Sequence, residues 1–327
     1  MKLEDITVAT ADKFLQTYGG RKLHDYGAWW LAEFRPEYAA ANGITAAEVP
    51  SRAIIRRYSE GHTPKSVIAI KRLEDAGVSF PLTPAQERFP ELSNLAALVY
   101  FTGGILFTGG HKKTGYCPEV SISGFIDSKT ISDLLPHVPF IVRPENVSGA
   151  GESARPRYLL SPLGRALYAM GIETGRKVYH KADFPEYILK LARHIRNPET
   201  GLLSQKDRAQ LKSICYSFAQ IFFRSKGSKR GGNLKLRIPA RADKTTASAV
   251  TAQAQQFLSD LFNIRTTGRP EKRTTFLTSG EEREVYTPTI YIEEQQLKWL
   301  VTEYGNAGSG VIGISEFVLQ KKSDTTS

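Results

Sequence analysis

Cysteine is scarce: Cys117 and Cys215 are the only two in 327 residues. Two thiols so far apart exclude a disulfide scaffold and fit a reducing interior. Histidine offers little more. His24, His62, His111, His137, His180 and His194 show neither HxxxH nor HExxH spacing, so no metal centre and no cofactor is expected. Phosphate-loop and dinucleotide fingerprints are missing as well, because the glycine pairs 103–104, 109–110 and 231–232 lack an accompanying GK[ST] or GxGxxG. Long apolar runs are also lacking. The most membrane-like stretch, 95–110, is short and broken by Thr102, Gly103 and Gly104, which predicts no membrane partner. The opening Met1-Lys2-Leu3-Glu4-Asp5 is charged and leads into no apolar segment, so a soluble, cytoplasmic protein without a targeting peptide is expected.

What is present is core-forming mass and positive charge. Sixteen Phe, 14 Tyr and 3 Trp exclude wholesale disorder, and the length suggests about two domains. The net charge is +11, from 44 basic and 33 acidic residues. Residues 1–90 hold 12 basic and 11 acidic groups, residues 91–200 hold 13 and 10, and residues 201–327 hold 19 and 12. The excess therefore gathers toward the C-terminal end, which points to a polyanionic partner.

Residues 1–90 are expected to form a small helical domain. Helices are predicted over 13–18 and 24–34, then over 48–60 and 65–76, the last two joined by a turn at Gly61-His62 with Thr63-Pro64 as a start signal. That pair resembles a helix-turn-helix whose second helix would show Lys65, Ser66, Lys71 and Arg72. A plain packing domain fits the same pattern. Pro81, Pro84 and Pro90 mark a stiff connection to the rest of the chain.

From residue 91 the order of elements is repeated. The first copy, 91–172, predicts a helix over 92–101, strands over 105–107 and 119–125, and a turn at Asp127-Ser128-Lys129-Thr130 opening a helix over 131–135. Strands over 140–143 and 155–160 and a helix over 163–170 complete it. The second, 207–305, predicts a helix over 210–224, a loop at Gly231-Gly232, a strand over 233–238 and a turn at Asp243 opening a helix to Phe262. Strands over 264–267 and 285–292 and a helix over 295–304 come next. Residues 173–206 would link the copies, and 306–327 would be a tail. Asp127 and Asp243 occupy equivalent turns, most simply as N-caps, although Asp127-Ser128-Lys129 also matches a loose acid-x-Lys nuclease pattern.

Two copies of this order, each opened by a glycine-terminated apolar helix, resemble the LAGLIDADG family. The motif-like segments are Leu95-Ala96-Ala97-Leu98-Val99-Tyr100-Phe101-Thr102-Gly103 and Ala219-Gln220-Ile221-Phe222-Phe223-Arg224-Ser225-Lys226-Gly227. Met170-Gly171-Ile172-Glu173-Thr174-Gly175-Arg176-Lys177 is similar to the connector between copies. The resemblance implies an α+β fold: two pseudo-symmetric αββαββα halves forming a saddle over the DNA major groove, preceded by the all-helical N-terminal domain. Ala96, Ala97, Ser217 and Ala219 would let the motif helices approach closely, with Gly103 and Gly227 as left-handed exits. A monomer would suffice, since the duplication is internal.

The family's metal-holding acid precedes the motif glycine. Here those positions are Thr102 and Lys226, and an ammonium repels a divalent cation, so no catalytic residue is expected. A DNA-facing surface is better supported. In the strand 233–238, Leu234, Leu236 and Ile238 alternate with Asn233, Lys235 and Arg237. Residues 224–244 also include Lys229, Arg230, Arg241 and Lys244, against the single acid Asp243. Arg265, Thr267 and Arg269, then Lys272 and Arg273, then Thr287 and Thr289 extend this set. The first copy offers Ser121, Ser123, Arg143, Arg155 and Arg157. The expectation is sequence-selective binding of double-stranded DNA in a transcriptional or other regulatory role. Alternatives are an active homing endonuclease with atypical ligands and a maturase binding structured RNA.

Overall fold

A computed structural model describes residues 1–17, 65–107, 118–121, 157–158, 161–172, 183–196, 203–230, 232–239, 242–276 and 282–304. The expected helices over 24–34, 48–60 and 131–135, the turns at 61–64 and Asp127, the strand over 140–143 and the tail lie outside the described residues. Within them the chain is mixed α+β, with two antiparallel sheets.

The N-terminal helices are α1 (Ala11–Gln16) and α2 (Lys65–Asp75). Two long helices sit at the centre. Helix α3 (Phe89–Thr102) has proline in its first turn, where a missing N–H costs no hydrogen bond. Its only charge is Glu91, and ten of its residues are buried, as an interior helix requires. Helix α4 (Ser161–Ala169) and helix α5 (Glu186–Arg196) lie next along the chain, and then comes α6 (Gln205–Lys226). Ser204 caps α6 by accepting a hydrogen bond from the Asp207 N–H at 3.1 Å, while Arg224 and Lys226 favour the negative end of the helix dipole.

Helices α3 and α6 pack against each other. Ala96, Ala97 and Ala219 are buried there, and the Phe101 and Phe222 rings stack at 4.5 Å. The Ser217 hydroxyl donates to Asn94 Oδ1 across the pair at 2.6 Å. Neither closing glycine makes the expected left-handed exit. Gly103 has φ −116° and Gly227 φ −74°, because each helix runs straight into an extended strand without reversing over a turn.

Strand β1 (Gly104–Phe107) leaves α3 and pairs with β2 (Pro118–Ser121), which pairs with β3 (Arg157–Tyr158). Strand β4 (Gly227–Arg230) leaves α6 and forms a hairpin with β5 (Asn233–Arg237). Gly232 in that turn has φ +88°, and a side chain there would collide with the Glu294 carboxylate. Helix α7 (Lys244–Phe262) is capped by Asp243, which accepts from the Thr246 N–H at 2.9 Å. Strands β6 (Thr267–Phe276) and β7 (Glu282–Ile292) then complete a sheet of order β4-β5-β7-β6, and α8 (Glu294–Tyr304) ends the described chain.

Sequence alternation explains why one face of this sheet is covered. Leu234, Leu236, Ile290 and Ile292 are fully buried, and α7 packs over β6 and β7. Gly268 permits that approach, since a Cβ there would meet Thr251 Cγ2 at 2.5 Å. Helix α5 falls inside the span expected to be a connector. Its Tyr187, Ile188, Leu191, Ala192 and Ile195 are buried against α6 and α7. Arg196 pairs with Asp260 of α7 at 2.7 Å, and the Tyr187 hydroxyl lies 3.2 Å from the Ser93 hydroxyl of α3. Buried apolar side chains from Leu3 to Leu300 form one cluster, so the described part of 1–90 shares its core with the remainder.

Candidate nucleic-acid interface

The opposite face of the four-stranded sheet is polar, and strand register sets its rows. Lys235 lies beside Tyr291, which lies beside Thr267; Arg237 lies beside Thr289, which lies beside Arg269. The next rows place Thr287 opposite Glu271 and Val285 opposite Arg273. Arg269, Arg273 and Thr267 are exposed, and the Arg237 side chain is 42% exposed.

Glu271 organises this face. Its carboxylate accepts a hydrogen bond from the Lys235 ammonium and one from the Tyr291 hydroxyl at 2.5 Å. Arg237 Nε stands 3.7 Å from its other oxygen, an ionic contact too long for a hydrogen bond. Burial pushes the Glu271 carboxyl up, but the bonds from Lys235 and Tyr291 and the nearby Arg237 charge outweigh it, leaving the group below the usual glutamate range. The Tyr291 ring faces Lys235 at 5.5 Å and Arg269 at 6.0 Å, adding cation–π attraction.

Three residues expected on an open face are therefore buried in the free protein. Lys235 is 3% exposed because Glu271 and Tyr291 draw it down onto the sheet. Thr287 and Thr289 are buried in the central strand, and the Thr289 hydroxyl donates to the Thr287 carbonyl at 3.2 Å. Asn233 is committed elsewhere: its Oδ1 accepts from the Glu294 N–H at 3.2 Å, at the start of α8. Lys272 alternates onto the opposite face and pairs with Glu284 at 2.5 Å. Arg265 is exposed just before β6, and Lys244 is exposed at the first turn of α7.

Lys229 and Arg230 belong to edge strand β4, and Ser121 and Arg157 pair with each other across β2 and β3. Ser123, Arg143, Arg155 and Arg241 lie outside the described residues. On α2, Lys71 and Arg72 are exposed while Val67, Ile70 and Leu73 face the core; Lys65 and Ser66 begin the same helix.

Where the two central helices end, the chemistry is uneven. The Thr102 hydroxyl donates back to the Leu98 carbonyl at 2.7 Å. Lys226 instead opens into a cavity of about 370 Å³ at the β4–β5 end of the sheet. Its lining includes Ser225, Ser228, Arg237, Arg273 and Thr287 and, among the described residues, no carboxylate. Burial holds the Lys226 ammonium below the usual lysine range. Among the described residues no three His, Cys, Asp or Glu side chains converge in a way that would hold a metal. Cys215 is buried, and burial pushes its thiol up, away from reactivity.

Glu271, Tyr291 and Ser228 escape the sequence expectation. Glu271 alternates with Arg269 and Arg273, so its face is legible once β6 is known to run past residue 267; ending the expected strand at 267 loses that phase. Comparison with protein-family models, curated proteins and solved structures finds no match.

Proposed function

We propose that this chain binds double-stranded DNA sequence-selectively through two LAGLIDADG-like copies, 91–172 and 207–305, without cutting it, in a transcriptional or other regulatory role. The observation that carries the proposal is the polar face of the second sheet. Arg237, Arg269 and Arg273 lie on a sheet whose other face is covered by α7 over β6 and β7, with Arg237 and Arg269 in one register row. Arginine placed this way suits guanine edges and phosphates.

The pseudo-symmetric saddle belongs to the same proposal. It is supported by the packing of α3 on α6, by strands β1 and β4 leaving those helices, and by the order helix, two strands, helix, two strands, helix over 205–304. The proposed loss of cleavage rests on Thr102 and Lys226, neither of which holds a hard cation. Fluorescence anisotropy with labelled duplex pools at several salt concentrations tests binding. Retention of duplex over structured RNA at equal salt supports the proposal; preference for RNA favours the maturase alternative. Mg²⁺- or Mn²⁺-dependent cutting of a plasmid library favours the endonuclease alternative.

A further inference from the structure

We infer that the cavity at the C-terminal end of α6 is a phosphate-binding pocket, with Lys226 as its inner cation and Arg237 and Arg273 as its outer ones. Part of this inference stands on the pocket itself, and its extension to DNA rests on the function proposed above.

Among the described residues the pocket gathers three cations and three hydroxyls, from Ser225, Ser228 and Thr287, around about 370 Å³ with no carboxylate in the lining; the Ser225 hydroxyl already donates to the Ile221 carbonyl at 2.6 Å. On the same sheet Lys235 meets Glu271 and Lys272 meets Glu284, while the pocket's own Arg237 stands 3.7 Å from Glu271. Lys226 makes no ion pair among the described residues, and it is partly buried. An ammonium withdrawn from water without a counter-charge is unfavourable unless something compensates it. The C-terminal end of α6 supplies part of the compensation through its partial negative charge. That same charge disfavours an anion, so a ligand must be held by side chains, and the geometry provides them. Arg237 keeps donors free because its Nε is 3.7 Å from Glu271, beyond hydrogen-bond reach. An oxyanion entering from the sheet face would meet Arg237 and Arg273 first and Lys226 last. Tetrahedral phosphate, with acceptors in several directions, matches converging donors better than a planar carboxylate.

Such a phosphate has two sources, free inorganic phosphate or one backbone phosphate of a duplex lying on the sheet. The experiment uses the full chain and both probes. Inorganic phosphate is titrated at ionic strength fixed with KCl while the Gly227 and Ser228 amide resonances are followed by NMR, in wild type, Lys226→Met and Lys226→Arg. Saturable shifts in wild type and Lys226→Arg, absent in Lys226→Met, are expected. Phosphate should also raise the wild-type melting temperature but not that of Lys226→Met. Without phosphate, Lys226→Met should melt at or above wild type, which shows that it folds. Duplex binding is then measured against KCl concentration. Loss of one phosphate contact lowers the slope by about 0.9, equivalent to about fivefold weaker binding at 0.15 M.

A lowered slope in Lys226→Met assigns the pocket to a backbone phosphate. Saturable phosphate binding with an unchanged slope assigns it to the free ion. Absence of any duplex binding by wild type removes the DNA proposal and leaves the pocket intact. If wild type shows no saturable phosphate-dependent shifts and its salt slope equals that of Lys226→Met, the inference is overturned.

Discussion

Glu271 decides how much of the cationic face is available. It holds Lys235 down and draws on Arg237, so its removal frees positive charge but strands a buried ammonium. Glu271→Ala is expected to cost about 3 kcal/mol in chemical denaturation, because breaking a buried pair leaves one ion uncompensated. Adding Lys235→Met should recover most of that loss; a stable Glu271→Ala single variant would show that the pair is not buried as described. The carboxyl is depressed in the folded state, so its contribution is complete above the ordinary glutamate range and is lost as pH falls through the folded value. The stability advantage of wild type over Glu271→Gln should therefore shrink as pH drops below about 4.5. An advantage that stays constant down to acid unfolding would contradict this. Residue types were legible in the sequence here, but their partnerships were not. Lys235 alternates with leucines as a surface residue does, and only the register bringing Glu271 and Tyr291 beside it explains its burial.

Among the described helices, α3 and α6 pack buried rings and small residues against each other. Phe222→Ala should destabilise by about 3–5 kcal/mol through the cavity left against Phe101, and Ser217→Ala by about 1 kcal/mol through its bond to Asn94. Urea unfolding midpoints check both, and a Phe222→Ala loss below that of Ser217→Ala would argue against the stacked pair as a core contact. The long helices were readable from their apolar content. Asp243 marks the start of α7 in the sequence, whereas Ser204 and Pro90 are not among the expected start signals, so α6 and α3 begin a few residues before the expected 210 and 92. Strand β4 was not readable, since Gly227-Ser228-Lys229-Arg230 has no apolar residue and owes its conformation to pairing with β5. Strand β6 is longer than its composition suggests, and its edge position tolerates Pro270. Helix α5 shows helical spacing at 187, 188, 191, 192 and 195. Its place between two copies gave no reason to expect it in the core.

Across the whole molecule, the positive excess and the open sheet face coincide in the C-terminal third of the chain. Arg237→Ala should either relax selectivity at one base pair or, where its contact is to phosphate, lower the salt slope by about 0.9. Competition binding with single-substituted duplexes separates these outcomes, and no change in either would place the sheet face away from nucleic acid. The two copies differ in their polar side chains, so the bound site should have unequal halves. The most direct test is equilibrium selection of random-sequence duplexes by the full chain with Mg²⁺ present, with sequencing of the retained pool. Intact duplexes sharing one asymmetric site are predicted; a pool without enrichment, or one recovered as cut fragments, would contradict the account.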